Sequence, residues 1–126
     1  MATVVQGALE FTIVESREDQ VVGSMTVGPA MLNPHGVVHA GALLWFADVC
    51  ATVLALGGAE AAPGRSGFPL AIDLHAALLA NQKDGVLEAR SVFVKRGRRV
   101  SVVRTTVTGT SGRTLVDVTT THVPAA

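Results

Sequence analysis

The feature that most constrains this chain is a strongly apolar run from Ala40 to Leu56, whose one charged residue is Asp48. The run is about 17 residues long, close to bilayer thickness for a helix, but a membrane span would bury the carboxylate in lipid. Its Ala and Leu content, with apolar residues on nearly every face, is typical of a helix enclosed by protein. We therefore predict a buried helix over Val38 to Leu56, ended by Gly57-Gly58.

Strands are predicted on both sides of this helix from β-branched, alternating segments bounded by turn residues. Two precede it, Phe11 to Val14 and Gln20 to Val27, separated by the charged turn Glu15 to Asp19. Four follow it: Pro69 to Ala80, Gly85 to Lys95, Arg99 to Thr108 and Arg113 to Val123. Hairpin-type turns separate them: Lys83-Asp84-Gly85, Arg96-Gly97-Arg98 and Thr110-Ser111-Gly112.

Two strands, one long helix and four strands in a meander predict a single α+β domain over residues 1–126. In this domain an antiparallel sheet curls around the central helix. A chain of 126 residues with 48% hydrophobic content is within the usual range for one domain with its own core. One helix cannot cover every edge of such a sheet, so we expect a homo-oligomer.

Charge and cysteine usage narrow the partners and the compartment. Ten basic and ten acidic residues give a formal charge of zero, so no overall field would attract nucleic acid or an anionic membrane. Cys50 is the single cysteine, and no His or basic residue is spaced to activate it, so we expect a buried, inert thiol. Residues Met1 to Glu10 lack the basic start and long apolar run of a signal peptide, which favours a cytoplasmic protein.

The chemistry-bearing residues gather around the predicted helix start. The free N–H groups of a helix start can polarise a carbonyl, and the small residues Ala40 and Gly41 allow a ligand close to the backbone. Asp48 lies two turns further on among apolar neighbours at helical spacing, which favours a reactive carboxylate. These neighbours are Leu44, Trp45, Ala51 and Thr52. The alternative is a structural carboxylate that is satisfied by hydrogen bonds, for example at a subunit interface. Asn33, in the loop before the helix, could orient water or a thioester. Hydrolysis of a thioester needs such a set of groups.

Helix geometry adds a constraint on this set. Eight residues along a helix rise about 12 Å, so the Ala40 N–H and the Asp48 carboxylate of one chain cannot both contact one carbonyl. If both are catalytic, the site must combine the helix start of one subunit with Asp48 of another.

The run Asn33-x5-His39-Ala40-Gly41-x6-Asp48 resembles the hotdog-fold acyl-CoA thioesterases of the phenylacetic-acid-degradation (PaaI-like) type. Their pattern is Asn, a loop, His-Gly-Gly and then a helix bearing Asp, and the likeness extends from about Val21 to Val123. The resemblance implies a hotdog fold, hydrolysis of an acyl-CoA without metal or redox cofactor, and sites between subunits. It favours a dimer of dimers, a homotetramer, over a simple dimer, and makes coenzyme A part of the substrate.

Residue by residue, the resemblance assigns roles to the catalytic candidates. It implies that Asn33 helps to place the substrate or water, that the Ala40 N–H, with Gly41 beside it, polarises the thioester carbonyl, and that Asp48 is the nucleophile or general base. The residues leave that last choice open. His39 stands half a turn around the helix from Asp48, so we expect it to position or cap the helix start.

Two departures from the family pattern bear on activity. Ala40 replaces the first glycine of His-Gly-Gly, which keeps the N–H but adds a methyl group where the acyl group would arrive. Ala71 stands where the strand after the helix often brings a Ser or Thr towards the site.

The candidate substrate-binding residues are less specific. Trp45 and the adjacent Phe46 suggest a pocket for an aryl or medium-chain acyl group. The cluster Lys95, Arg96, Arg98 and Arg99 is either a soluble turn or a clamp for the phosphates of coenzyme A. Asp73 is a weaker candidate, because charges on strands most often face solvent or pair with Arg.

Two other functions remain open. The first is a non-catalytic acyl-CoA-binding or oligomerisation module, which gains weight from Ala40 and Ala71. The second is an acyl-thioester dehydratase or hydratase that would pair the loop residue His35 with Asp48. It ranks lower because the His-Phe-Pro-Gly type of loop is missing.

Overall fold

The computed structural model describes residues 8–57 and 67–125. Its elements follow the predicted order: β1 Thr12–Ser16, β2 Gln20–Thr26, a short 3-10 helix Pro29–Met31, α1 Ala40–Leu56, β3 Pro69–Leu78, β4 Val86–Arg96, β5 Ser101–Thr108 and β6 Thr114–Pro124. The predicted Gly58, and most of the N-terminal segment used to predict the compartment, lie outside the described residues. The predicted class, an antiparallel sheet with one long helix, is confirmed.

The strands form one six-stranded sheet in the order β1-β2-β4-β5-β6-β3, and every pairing is antiparallel. The meander from β4 to β6 is confirmed, but a meander of all four late strands was wrong. β3 pairs with β6, and β4 pairs with β2. The reason is that α1 runs across the sheet between β2 and β3, contacting all of the strands, so the chain re-enters the sheet at the opposite edge from β1.

The helix α1 begins two residues later than predicted, at Ala40. Val38 remains extended, since it forms a bridge with Leu32 and donates its N–H to the Gln82 carbonyl at 2.9 Å. At the other end Gly57 has φ 70°, a left-handed conformation that costs glycine little because it lacks Cβ.

The core lies between α1 and the inner face of the sheet. Along the helix the buried residues are Ala42, Leu43, Phe46, Ala47, Cys50, Ala51 and Leu54. α1 packs closely on β2 at Gly23, where a Cβ would lie 2.7 Å from Cys50 Sγ and 2.8 Å from Phe46 Cε1. Among the described residues no helix combines the length and apolar character needed to cross a membrane.

The edge strand β3 exposes an unusual amount of apolar surface for a strand at the edge of a sheet. Leu70, Ile72, Leu74 and Leu78 are between 41% and 62% exposed. Exposed apolar edges tend to pair with another chain. Pairing between copies through this edge stays a prediction.

Candidate active site

The helix start is capped by the residue that precedes it. His39 has an extended backbone, and its Nδ1 accepts a hydrogen bond from the Gly41 N–H at 2.9 Å. Its carbonyl accepts from the N–H groups of Ala42 and Leu43. Ala40 is the first helical residue, so its N–H has no intrahelical acceptor, and no hydrogen bond among the described residues uses it. Within the described residues the Ala40 N–H is therefore an unpaired donor of this turn, whereas the Gly41 N–H is engaged by His39. A catalytic role for Ala40 or Gly41 stays a prediction.

Asn33 shapes the loop that leads into this helix start. Its Oδ1 accepts from the N–H groups of His35 at 3.0 Å and Val37 at 3.2 Å, and its own N–H donates to the Val37 carbonyl at 2.8 Å. A short polar side chain that bonds to the backbone ahead of it is typical of a tight turn. Only the amide NH₂ of Asn33 remains for a ligand, because the side-chain oxygen is used within the loop.

Asp48 lines a cavity of about 400 Å³ between α1 and the start of β3. The walls are mostly apolar, and they comprise Val49, Thr52, Val53, Leu56, Phe68, Pro69, Leu70 and Ala71. The predicted apolar surroundings are confirmed, although only Thr52 of the predicted neighbours lines this cavity. Asp48 Oδ1 is buried and makes no hydrogen bond among the described residues. Structural carboxylates are usually satisfied when buried, so the unpartnered oxygen is open to a ligand or to a group from a second copy of the chain.

The strand opposite Asp48 carries the two remaining β3 candidates on different faces. Ala71 lines the Asp48 cavity, so the position aligned with the Ser or Thr of the family pattern is at the cavity wall but lacks a hydroxyl. Beyond a bulge, Asp73 pairs with Thr121, which alternates with the buried residues Thr120 and His122. Cross-strand partners share a face, so Asp73 lies on the outer face of the sheet, away from the helix.

His122 is a residue of this region that the sequence analysis missed. It pairs with Ala71 across β6 and β3, is 1% exposed, and has Nε2 2.8 Å from Thr120 Oγ1. Burial lowers the pKa of His122; the nearby Pro69 carbonyl and the Asp48 carboxylate oppose that shift. Nδ1 nevertheless makes no hydrogen bond within the described part of the chain. Strict alternation along β6 would have placed His122 on the inner face with Val116 and Val118, so the signal was present in the sequence.

The basic cluster lies at the β4–β5 turn and borders a second cavity of about 230 Å³. Arg96, Arg98 and Arg99 line this cavity, and Pro69 belongs to the walls of both cavities. Arg96 is partly engaged, since it pairs with Glu18 at 3.3 Å and lies over the Phe93 ring at 5.0 Å. Lys95, near the end of β4, is exposed and does not line the cavity.

Similarity to known proteins comes from solved structures, since no family model and no curated protein matches the chain. A hypothetical thioesterase protein with coenzyme A from Streptococcus pneumoniae is 23% identical, with 93% of this chain and 87% of that chain covered and a TM-score of 0.81. A protein from Streptococcus mutans bound to acetyl CoA is 20% identical, with 93% and 90% covered and a TM-score of 0.82. A thioesterase from Haemophilus influenzae is 19% identical, with 90% and 77% covered and a TM-score of 0.80.

These matches extend over almost the whole chain and share its arrangement of one long helix on a curled antiparallel sheet. The chain has the hotdog fold. The predicted fold is thereby confirmed. At these identities the likeness concerns the fold, and the PaaI-like type stays a prediction.

The aromatic residues of this hotdog helix lie towards β1 rather than at the Asp48 cavity. Trp45 meets the Phe11 ring edge to face, with centroids 5.0 Å apart and an angle of 77°. Phe46 is fully buried against Phe11 at 4.8 Å, so it belongs to the core. Contact of Trp45 with an acyl group stays a prediction.

The thiol of Cys50 and the imidazoles of His35 and His75 do not line the Asp48 cavity. Cys50 is fully buried, which confirms the prediction of a buried cysteine, and burial raises the pKa of its thiol to about 12. A thiol with so high a pKa is a poor nucleophile near neutral pH. His35 is exposed in the loop before α1, and His75 is exposed on β3.

Proposed function

We propose that this protein is an acyl-CoA thioesterase that hydrolyses an aryl- or medium-chain acyl-CoA to the free acid and coenzyme A. The observation that carries this proposal is Asp48, a carboxylate with a buried, unpartnered oxygen in an apolar cavity. The open Ala40 N–H at the start of the same helix supports it. So does the likeness in fold to a thioesterase and to proteins with bound coenzyme A or acetyl CoA.

The proposed reaction uses these two groups at opposite sides of the thioester carbon. The Ala40 N–H donates to the carbonyl oxygen and stabilises the negative charge that develops there. Asp48 either attacks the carbonyl carbon to give a mixed anhydride, which water then hydrolyses, or removes a proton from an attacking water. In both routes the C–S bond breaks, and the thiolate of coenzyme A leaves and takes up a proton. The amide of Asn33 helps to hold the substrate or water.

Two copies of the chain are needed for this reaction. The Ala40 N–H and Asp48 lie eight residues apart on α1, which is about 12 Å, so the helix start of one copy must meet Asp48 of another. The exposed apolar edge of β3 also forms part of the Asp48 cavity, since Leu70 belongs to both. We propose a dimer or a dimer of dimers in which this edge is covered.

The nucleotide end of the substrate is proposed to bind at the β4–β5 turn. Arg98 and Arg99 present guanidinium groups that can bind phosphate oxygens in pairs, and Arg96 and Lys95 add positive charge. Arg98→Gln together with Arg99→Gln is expected to raise KM about 10-fold or more with little change in kcat. Arg104→Gln is the matched control, because Arg104 is bonded to Asp117 at 2.7 Å on the outer face.

The test of the proposal is thiol release from a panel of aryl- and aliphatic acyl-CoAs, combined with direct measurement of coenzyme A binding. Hydrolysis of at least one panel member supports the thioesterase. Binding of coenzyme A without any thiol release would instead select the non-catalytic module, whose supporting observation is the methyl group of Ala71 at the cavity wall. If the protein neither binds coenzyme A nor hydrolyses any panel member, both the thioesterase and the coenzyme A-binding module are rejected.

A further inference from the structure

Two buried side-chain polar atoms in the described part of the chain lack a hydrogen bond: Asp48 Oδ1 and His122 Nδ1. Unpartnered buried polar atoms are costly and rare in native proteins. The first belongs to the proposed reactive group, whereas no step described so far uses the second.

Asp48 and His122 line two neighbouring cavities that have Pro69 in common. Ala71 lines the Asp48 cavity and is the cross-strand partner of His122, so His122 lies on the same inner face, one strand further into the sheet. Pro69 borders the Asp48 cavity and also the cavity that His122 lines. The Asp48 carboxylate raises the pKa of His122, although burial lowers it more, so the two groups lie within electrostatic range.

The Thr120 hydroxyl can determine which ring nitrogen carries the proton. Because burial keeps the imidazole neutral, only one of its nitrogens is a donor. Thr120 Oγ1 lies 2.8 Å from Nε2. When that hydroxyl donates to Nε2, the proton resides on Nδ1. The Pro69 carbonyl lies near the ring and raises the pKa of His122, but Nδ1 makes no hydrogen bond with it within geometric limits, so this nitrogen is unpartnered.

We propose that His122 is a positioning residue for Asp48, in which Nδ1–H holds Asp48 Oδ1 either directly or through one water molecule. This inference rests on the proposed thioesterase function. In this arrangement His122 of β6 supplies the polar side chain that is missing at Ala71 of β3. A hydrogen bond to the carboxylate fixes its rotation, so that the carboxylate presents its other oxygen to the substrate.

Three substitutions separate this role from simple packing. His122→Asn keeps an N–H donor near the position of Nδ1, His122→Gln moves the donor towards the position of Nε2, and His122→Leu removes it. We expect kcat to fall on the order of 10- to 100-fold in the Gln and Leu variants and only a few-fold in the Asn variant. KM should stay within about 2-fold, because Asp48 acts in the chemical step. Adding Ala71→Ser to His122→Leu should restore part of kcat by supplying a hydroxyl at the cavity wall.

Melting curves of all variants accompany the kinetics. If kcat falls equally in the Asn, Gln and Leu variants and follows their loss of Tm, His122 only packs and the proposal is overturned. If Asp48→Asn abolishes hydrolysis while His122→Leu retains the wild-type kcat, the proposal is overturned and the thioesterase function stands.

A second readout needs no substrate, so it decides the proposal even if no acyl-CoA is hydrolysed. Imidazole ¹⁵N NMR should show the proton of His122 on Nδ1, and Asp48→Asn should lower the pKa of His122 further. Among the described residues, the charged groups around this ring are Asp48 from α1 and Arg96, Arg98 and Arg99, which line the same cavity as His122, and only Asp48 changes in that variant. A proton on Nε2, or a pKa indifferent to Asp48→Asn, would overturn the proposal.

Discussion

The close approach of α1 to β2 gives a stability prediction that can be worked out atom by atom. Gly23→Ala would place a methyl group 2.7 Å from Cys50 Sγ and 2.8 Å from Phe46 Cε1, and both side chains are fully buried. Overpacking of this kind typically costs about 1–3 kcal/mol. Replacing glycine also lowers the entropy of the unfolded chain, which offsets roughly 0.4–1 kcal/mol. We expect a net loss of about 1–2 kcal/mol, or a Tm lower by roughly 3–10 °C.

The companion variant Cys50→Ala removes the closer of the two contacts. Alone it should cost roughly 1 kcal/mol for the lost buried sulfur. In the double variant the new methyl group occupies space that the sulfur has left, while the contact with Phe46 remains. The double variant should therefore be about 1 kcal/mol more stable than the sum of the single losses predicts.

Urea unfolding of the four proteins at one protein concentration measures this coupling, because assembly makes apparent stability depend on concentration. Losses that add within about 0.3 kcal/mol would refute the contact between Gly23 and Cys50. Iodoacetamide labelling of the wild type is a further check, since a thiol with a pKa of about 12 should react only on unfolding.

Three other changes probe the edge strand, the buried imidazole and the helix cap. Ile72→Lys, on exposed β3, should reduce the assembly seen by light scattering to the 13.0 kDa monomer and abolish hydrolysis; an unchanged mass would exclude β3 as the contact. Burial depresses the pKa of His122, so as pH falls below about 6.5 the imidazole binds a proton more readily in the unfolded chain than in the folded protein, and the folded state loses stability. The wild-type Tm should thus fall more than that of His122→Asn between pH 7 and pH 5, and parallel curves would contradict this. Gly41→Ala would bring a methyl group 3.1 Å from His39 Nδ1 and so disturb the helix cap, and kcat should fall several-fold. Tm should change little, because the higher helix propensity of Ala, about 1 kcal/mol, offsets much of the stability lost with the cap. An unchanged kcat would argue against a role for the cap.

Local patterns predicted the elements of this fold better than their pairing. The apolar run predicted α1 to within two residues, because an enclosed helix needs apolar residues on every face. The predicted pairing of β3 was wrong because the residues of this strand do not show which other strand it joins. That neighbour is set by the path of α1 across the sheet, a long-range property. The late start of the helix has a similar origin, since Val38 is held extended by Leu32 and Gln82.

In the candidate site, too, local features were predicted and long-range contacts were not. The apolar surroundings of Asp48 were predicted from helical spacing within one element, whereas Ala71 was placed towards the site by the family resemblance; both line the same cavity. His122 was missed because its neighbours are long-range: it meets Ala71 only through the pairing of β6 with β3. The capping of α1 by His39 was expected from its position, but that it uses up the Gly41 N–H emerged only from the geometry.

The most direct test of the central claim is kcat for thiol release by wild type, Asp48→Asn and the control Asp19→Asn, all shown to be folded and assembled. Asp19 is exposed in the β1–β2 turn, so its variant makes the same change of charge away from the cavity. We predict that Asp48→Asn lowers kcat on the order of 10²- to 10⁴-fold, whereas Asp19→Asn leaves it unchanged. An Asp48→Asn protein that hydrolyses the same acyl-CoA at the wild-type rate would contradict the account.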